Sequence, residues 1–277
     1  MWPDAPKRAT NIREKGEIYR QQGLPRTGNL LLELAQVVER GEDGERERVF
    51  NQIAPTFREE YCGRDGDFLA LYDFIEDILI GSISTMRAGF RDKLLELSPL
   101  LTSMRRSATV MGRIASSFLA AGRLSNEDMY YAACLLHAMD IEGQFDEACR
   151  LIYVLFKASL GENVLLSQAA DLSVKDVRDL MRQPSNGRSE ILFLGWQEGH
   201  LRNCIAHMRM EYNATNGTMH FVDVNRDGVE TYNETWSYAQ FVKFFHLANG
   251  VSFLFLHLVM ILGAHDMAFA TDPFQMN

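Results

Sequence analysis

The residues of this chain best suited to chemistry lie in one short segment, Arg202-Asn203-Cys204-Ile205-Ala206-His207, with His200 just before it and Arg209 just after. On a helix successive residues turn by about 100°, so Asn203 and His207 fall nearly in line and His200 lies about one turn back. Arg202 sits roughly 140° around the axis from His207, and its long side chain can swing back toward the same patch. An imidazole titrates near neutral pH and can serve as base or acid. A guanidinium stays charged and offers a fork of donors that matches phosphate oxygens. The stripe therefore carries the groups needed to move a proton beside a bound phosphate. The same residue types would equally make a hydrogen-bonded boundary histidine beside a surface arginine, so their place in the fold decides between the two.

Arginine, asparagine, three further residues and histidine on the penultimate long helix of a helical bundle is similar to the motif of HEPN ribonucleases. The resemblance is confined to the C-terminal part of the chain and rests chiefly on these six residues. It implies a metal-independent endoribonuclease without cofactor, acting as a homodimer in which two copies of the motif face each other. Arg202, Asn203 and His207 would then be catalytic, with His200 and Arg209 beside them as substrate contacts. Cleavage by attack of a 2′-hydroxyl needs a base, an acid and positive charge at the phosphate. One helix offers one well-placed histidine, so two facing copies supply both proton-transfer groups, and Asn203 orients His207 or holds a phosphate oxygen. The resemblance further implies RNA as substrate, a role in bacterial defence or toxin systems, and a regulatory or antitoxin protein as a partner.

The elements that must position this segment are read from periodicity. Apolar residues recur at helical spacing over residues 28–180, as in Leu30, Leu34, Val37 and Val38, in Phe68, Leu71, Ile75, Ile78 and Leu79, and in Phe145, Ala148, Cys149, Ile152, Phe156 and Leu160. Ser125 and Ser173, each followed three residues later by aspartate, mark helix starts. Breaks fall at 41–44, 63–66, Gly122 and 183–187. A helix is predicted over about 190–212, alternation over Thr218 to Val224 predicts a strand, Arg226-Asp227-Gly228 a turn, and Val229 to Asn233 a returning strand. A long helix follows from about Thr235 to His265. The expected class is all-α: a helical bundle with a short β-hairpin between the last two long helices. Residues 1–100 form an N-terminal helical region without an assigned role, and 101–277 the bundle that carries the motif.

Composition narrows the function classes. A net charge of −9 opposes sequence-blind coating of nucleic acid, which depends on Lys and Arg neutralising phosphates. A polyanion must find a local basic site, such as Arg202 with Arg209, or Arg105 and Arg106 with Arg113. The first residues carry many charges and no apolar stretch, and the longest apolar run, 251–264, falls short of a bilayer span. The expectation is a cytoplasmic protein without a membrane anchor. Cys62, Cys134, Cys149 and Cys204 form no metal-binding pair, and the last three fall in apolar helical patterns.

Two other readings stay open. The stripe could seal an interface in a non-catalytic binding or assembly module of the same kind. Asp223, Asn225, Asp227, Gly228 and Glu234 also fit a twelve-residue calcium loop. That loop should be entered from a helix, whereas Met219 to Val222 alternate like a strand, so a hairpin turn is expected instead.

Overall fold

The structure, a computed structural model, describes residues 5–86, 89–120 and 124–269. In chain order it contains α1 (Ala5–Gln21), α2 (Pro25–Arg40), α3 (Asp43–Cys62), α4 (Gly66–Met86), α5 (Gly89–Ala120), α6 (Asn126–Asp140), a π-helical turn (Ile141–Phe145), α7 (Asp146–Ser159) and α8 (Leu166–Ala170). These are followed by α9 (Val174–Arg182), α10 (Glu190–Phe193), a 3₁₀ turn (Gln197–Gly199), α11 (His200–Ala206), β1 (Met210–Asn213), β2 (Thr218–Val224), β3 (Glu230–Ser237) and α12 (Tyr238–Phe269). The fold is mostly helical with one small sheet between the last two helices.

The chain divides into two compact units, one of residues 1–72 with 256–277 and one of residues 73–255. In the first unit α1 and α2 cross where neither Gly16 nor Gly28 has a side chain, and a Cβ on Gly28 would stand 2.7 Å from the Gly16 carbonyl. His257 near the end of the chain belongs to this unit: its carbonyl accepts from the Tyr19 hydroxyl at 3.0 Å, and its ring stacks on Phe57.

The second unit holds the motif. Its helix starts follow the serine signals: Ser125 and Ser173 each accept from the amide three residues on, and Asp128 and Asp176 return the bond. The stripe of α7 is buried at Phe145, Ala148, Cys149, Ile152 and Phe156, but Leu160 caps the helix and is exposed. The break expected at Gly122 lies outside the described residues. Two fully buried polar side chains, His137 and Asp140, sit one turn apart on α6 just before the π-helical turn.

The predicted helix over 190–212 is interrupted. Gln197 and Gly199 adopt left-handed backbone at φ 50° and 82°, so the chain kinks between α10 and α11. α11 ends at Ala206, where Met208 at φ 53° turns the chain and Met210 enters a strand. The hairpin is accordingly one part of a three-stranded antiparallel sheet in the order β1-β2-β3, with Met210 opposite Phe221 and Met219 opposite Trp236. Tyr212, expected at the end of a helix, lies instead on β1, facing Met219. β3 runs on to Ser237, past the predicted Asn233.

One apolar cluster joins α6, α11, the sheet and the start of α12: Tyr130, Cys134, Leu201, Cys204, Ile205, Met219, Phe221, Trp236 and Phe241. The Tyr130 hydroxyl donates to the carbonyls of Trp236 and Ser237, tying α6 to the end of β3. Gly195 lets the kinked segment lie against α12, since a Cβ there would come within 2.3 Å of the Ala248 nitrogen. Because that neighbour is helix backbone, Gly195→Ala is expected to destabilise the protein by about 1–3 kcal/mol, read as a lower urea midpoint at unchanged slope; an unchanged midpoint would mean that the two segments are not in contact. α12 is long and apolar enough to cross a membrane, with mean hydropathy 1.9 over an 18-residue window within Tyr238–His265, yet 61% of that window is buried inside the protein.

Candidate functional site

α11 is too short to be stable by itself, and the apolar cluster holds it. Leu201, Cys204 and Ile205 face inward, which leaves His200, Arg202, Asn203 and His207 to the other sides. β2 alternates so that Met219, Phe221 and Asp223 all point to the buried face. The first two fill the core, whereas the third places a carboxylate under the start of α11.

Asp223 gathers three of the five predicted residues. Its Oδ2 lies 3.0 Å from His200 Nδ1 and accepts from Asn203 Nδ2 at 3.2 Å, and its Oδ1 lies 3.5 Å from Arg209 Nη1. Burial alone would raise its carboxyl, but the hydrogen bonds from His200 and Asn203 outweigh that and hold it below the usual carboxylate range. It is therefore a fixed anion at neutral pH. The His200 ring stacks on Tyr232 from β3, with centroids 5.3 Å apart and planes at 12°.

Arg202 adds a second link. Its Nη1 donates to Asn203 Oδ1 at 3.0 Å, and its Nε donates at 2.8 Å to Oε1 of Glu142 in the π-helical turn, with Nη2 on the same oxygen. A chain of polar groups thus runs Glu142, Arg202, Asn203, Asp223 and His200. Arg209 also donates to the Val224 carbonyl.

His207 stands apart. It caps α11 at φ −97° and ψ 8°, is exposed, and has no hydrogen-bond partner or ring contact for its side chain among the described residues. Met208 beside it is 74% exposed. The in-line placement of Asn203 and His207 expected from a continuous helix is lost, because the helix ends between them. Asn203 turns to Asp223 and His207 to solvent.

The calcium loop gives way to the expected hairpin. Asp223 is buried and already engaged, while Glu234 lies on strand β3 opposite Phe221, so the two end positions of the loop do not converge on an ion. Among the described residues no group of three or more His, Cys, Asp or Glu side chains is placed to hold a metal. Cys204 is unsuited to nucleophilic work: burial pushes its thiol up to about 12. Of the second basic cluster, Arg105, Arg106 and Arg113 are all exposed on α5.

Sequence reasoning missed Asp223 and Glu142 as members of the site. Asp223 carried a signal, being an acid on the inward phase of an alternating strand whose other members are Met and Phe. Glu142 carried none, since it lies sixty residues from Arg202 in the chain. No protein-family model, no curated protein and no solved structure matches the chain.

Proposed function

We propose that the chain is a metal-independent endoribonuclease of HEPN type, acting as a homodimer whose composite site is built from Arg202, Asn203 and His207 of each copy. The observation that carries this reading is the disposition of α11: the apolar side of one short helix is sealed in the core, Arg202 in its first turn is partly exposed and paired with Glu142, and His207 just past its end is open to solvent. An exposed imidazole free of protein partners can reach a reacting oxygen, and the half-exposed guanidinium can take a phosphate. In the reaction the 2′-oxygen forms a bond to phosphorus as its proton goes to an imidazole. The bond to the 5′-oxygen breaks as that oxygen takes a proton from a second imidazole. The products are a 2′,3′-cyclic phosphate and a 5′-hydroxyl. A place in the cytoplasm and a task in defence or toxin systems belong to the same proposal.

The test is incubation of the purified chain with labelled RNA in excess chelator, with its mass followed by sedimentation. The reading expects cleavage by a dimer, and a monomer that leaves RNA intact would end it.

The Arg202–Glu142 pair bears on how substrate enters. Both side chains are more than one third exposed, and such pairs contribute little against a competing anion. Glu142→Gln is expected to tighten RNA binding roughly fivefold, the factor that loss of about 1 kcal/mol of competition gives, measured by fluorescence anisotropy at fixed salt. Weaker binding in that variant would mean that Glu142 supports the arginine instead of competing for it.

The same pair favours a second reading. With Arg202 on Glu142 and Asn203 on Asp223, the polar stripe could serve assembly alone, as a non-catalytic module binding a partner protein. Such a module would dimerise and leave RNA uncut.

A further inference from the structure

We infer that His200 is a second catalytic imidazole and Asp223 its positioning residue, and that His200 of one copy works with His207 of the facing copy on one phosphodiester; the inference rests on the ribonuclease reading above. Three features of the structure lead to it. The carboxylate of Asp223 is buried and faces His200 Nδ1 at 3.0 Å. A buried anion at that nitrogen requires it to carry the proton, so the neutral ring has its lone pair on Nε2. The Tyr232 ring lies parallel to the imidazole and fixes its plane. His200 Nε2 has no protein partner among the described residues and is not among the atoms sealed from solvent without one. An oriented, tautomer-locked imidazole with an open nitrogen is a general base in waiting.

The geometry of the helix then says how it is used. His200 and His207 lie at the two ends of α11, about 10 Å apart along its axis by the rise of a helix, which is too far for two imidazoles of one copy to share a phosphodiester easily. Two copies related by a two-fold axis contact each other reciprocally, residue i of one against residue j of the other and the reverse. When two copies of α11 face each other in antiparallel fashion, the start of one lies opposite the end of the other, and each His200 meets a His207. The 2′-hydroxyl proton passes to Nε2 of His200 as the oxygen–phosphorus bond forms. The departing 5′-oxygen takes its proton from His207, and the next turnover follows exchange of both protons with water. Arg202 holds the phosphate between them.

Two experiments on the full chain test this. Asp223→Asn keeps the size of the side chain but replaces the anion that fixes the ring with a neutral amide, which has one accepting oxygen where the carboxylate had two. Cleavage is expected to fall about 30- to 100-fold in kcat, with KM changed less than threefold, and the ¹⁵N shifts of His200 should move from the Nδ1–H pattern toward Nε2–H. Asp223→Glu should recover part of the rate. If Asp223→Asn cleaves within threefold of the natural chain, or if His200 shows the Nε2–H pattern from the start, the proposal is overturned while the ribonuclease reading stands.

The second experiment mixes His200→Ala and His207→Ala chains, each inactive alone. Half of the randomly formed dimers carry one variant of each kind, and in these one of two sites is intact, so about a quarter of full activity should return. That recovery also shows that both variants fold. No recovery overturns the pairing across copies. Absence of cleavage by the natural chain would instead sink the ribonuclease reading and this inference together.

Discussion

Alanine at Arg202 or at His207 lowers the rate of chelator-resistant RNA cleavage by about 10²- to 10⁴-fold, the range expected when a proton-transfer group or a phosphate-binding cation is removed. The two variants should differ in form. His207 is exposed and makes no side-chain contact among the described residues, so its removal leaves folding intact and acts on kcat alone. Arg202 is tied to Asn203 and Glu142, and its loss also frees Asn203 from one of its partners, so KM should rise as kcat falls. Both variants should unfold within about 1 kcal/mol of the natural chain, as partly exposed positions usually do. A single-turnover time course with labelled RNA, beside urea unfolding of each protein, separates these effects. Equal cleavage by all three proteins would assign the activity to a contaminant.

Asparagine at Asp140 is the second large effect, and it concerns stability. Asp140 is fully buried; its Oδ1 accepts from Asn249 Nδ2 at 3.1 Å, and its Oδ2 has no partner among the described residues. Burial pushes its carboxyl up to about 7. Between pH 4 and 7 the folded chain therefore keeps a proton that the unfolded chain releases. Stability falls as pH rises through that window, by about 4 kcal/mol in total, and is level above it. His137, one turn earlier, acts in the opposite sense. Burial between Phe241 and Phe245 pushes it down to about 4, so the unfolded chain takes up a proton below 6.5 that the folded chain refuses, and stability falls as pH drops from 6.5 to 4.

In the natural chain the two slopes oppose each other over most of this range. Asp140→Asn removes one and keeps the Asn249 contact, so it should gain stability over the natural chain steadily from pH 4 to pH 7. His137→Phe should gain in the other direction. Asp146, Glu147 and Cys149, which burial also raises, are present in both chains and drop out of the difference. Urea unfolding at intervals from pH 4 to pH 8 reads it directly. A difference that stays constant with pH would mean that Asp140 is ionised in the folded protein at every pH tested.

The parts of the fold legible in sequence are those set by local rules. Ser125 and Ser173 start helices because a serine followed by aspartate satisfies the free amides of a first turn wherever it occurs. Five of the six residues in the α7 stripe are buried because a three- and four-residue repeat leaves them one face. What was not legible was decided by packing. The kink between α10 and α11 puts Gln197 in a backbone region that glycine favours, and Gly195 stands two residues before it because α12 passes too close for a Cβ. α11 ends where Met208 turns the chain at φ 53°, which releases Met210 to Asn213 into a strand.

The candidate site followed the same division. Arg202, Asn203 and His207 announced themselves by type and spacing, and His200 and Arg209 by their place beside them. Asp223, which holds His200, Asn203 and Arg209 together, was read as a strand residue and as the first position of a calcium loop, because its inward direction mattered only once β2 was laid against α11. Glu142 could be found only in three dimensions.

The proposed cleavage proceeds by attack of a ribose hydroxyl without metal, and one measurement addresses that step alone. A short RNA that the protein cleaves at a single bond is prepared again with deoxyribose at the nucleotide on the 5′ side of that bond, and both are incubated in excess chelator. The first should yield a 2′,3′-cyclic phosphate and a 5′-hydroxyl, and the second should stay uncut at that bond. Cleavage of the deoxy-substituted strand at the same bond would contradict attack by the ribose hydroxyl.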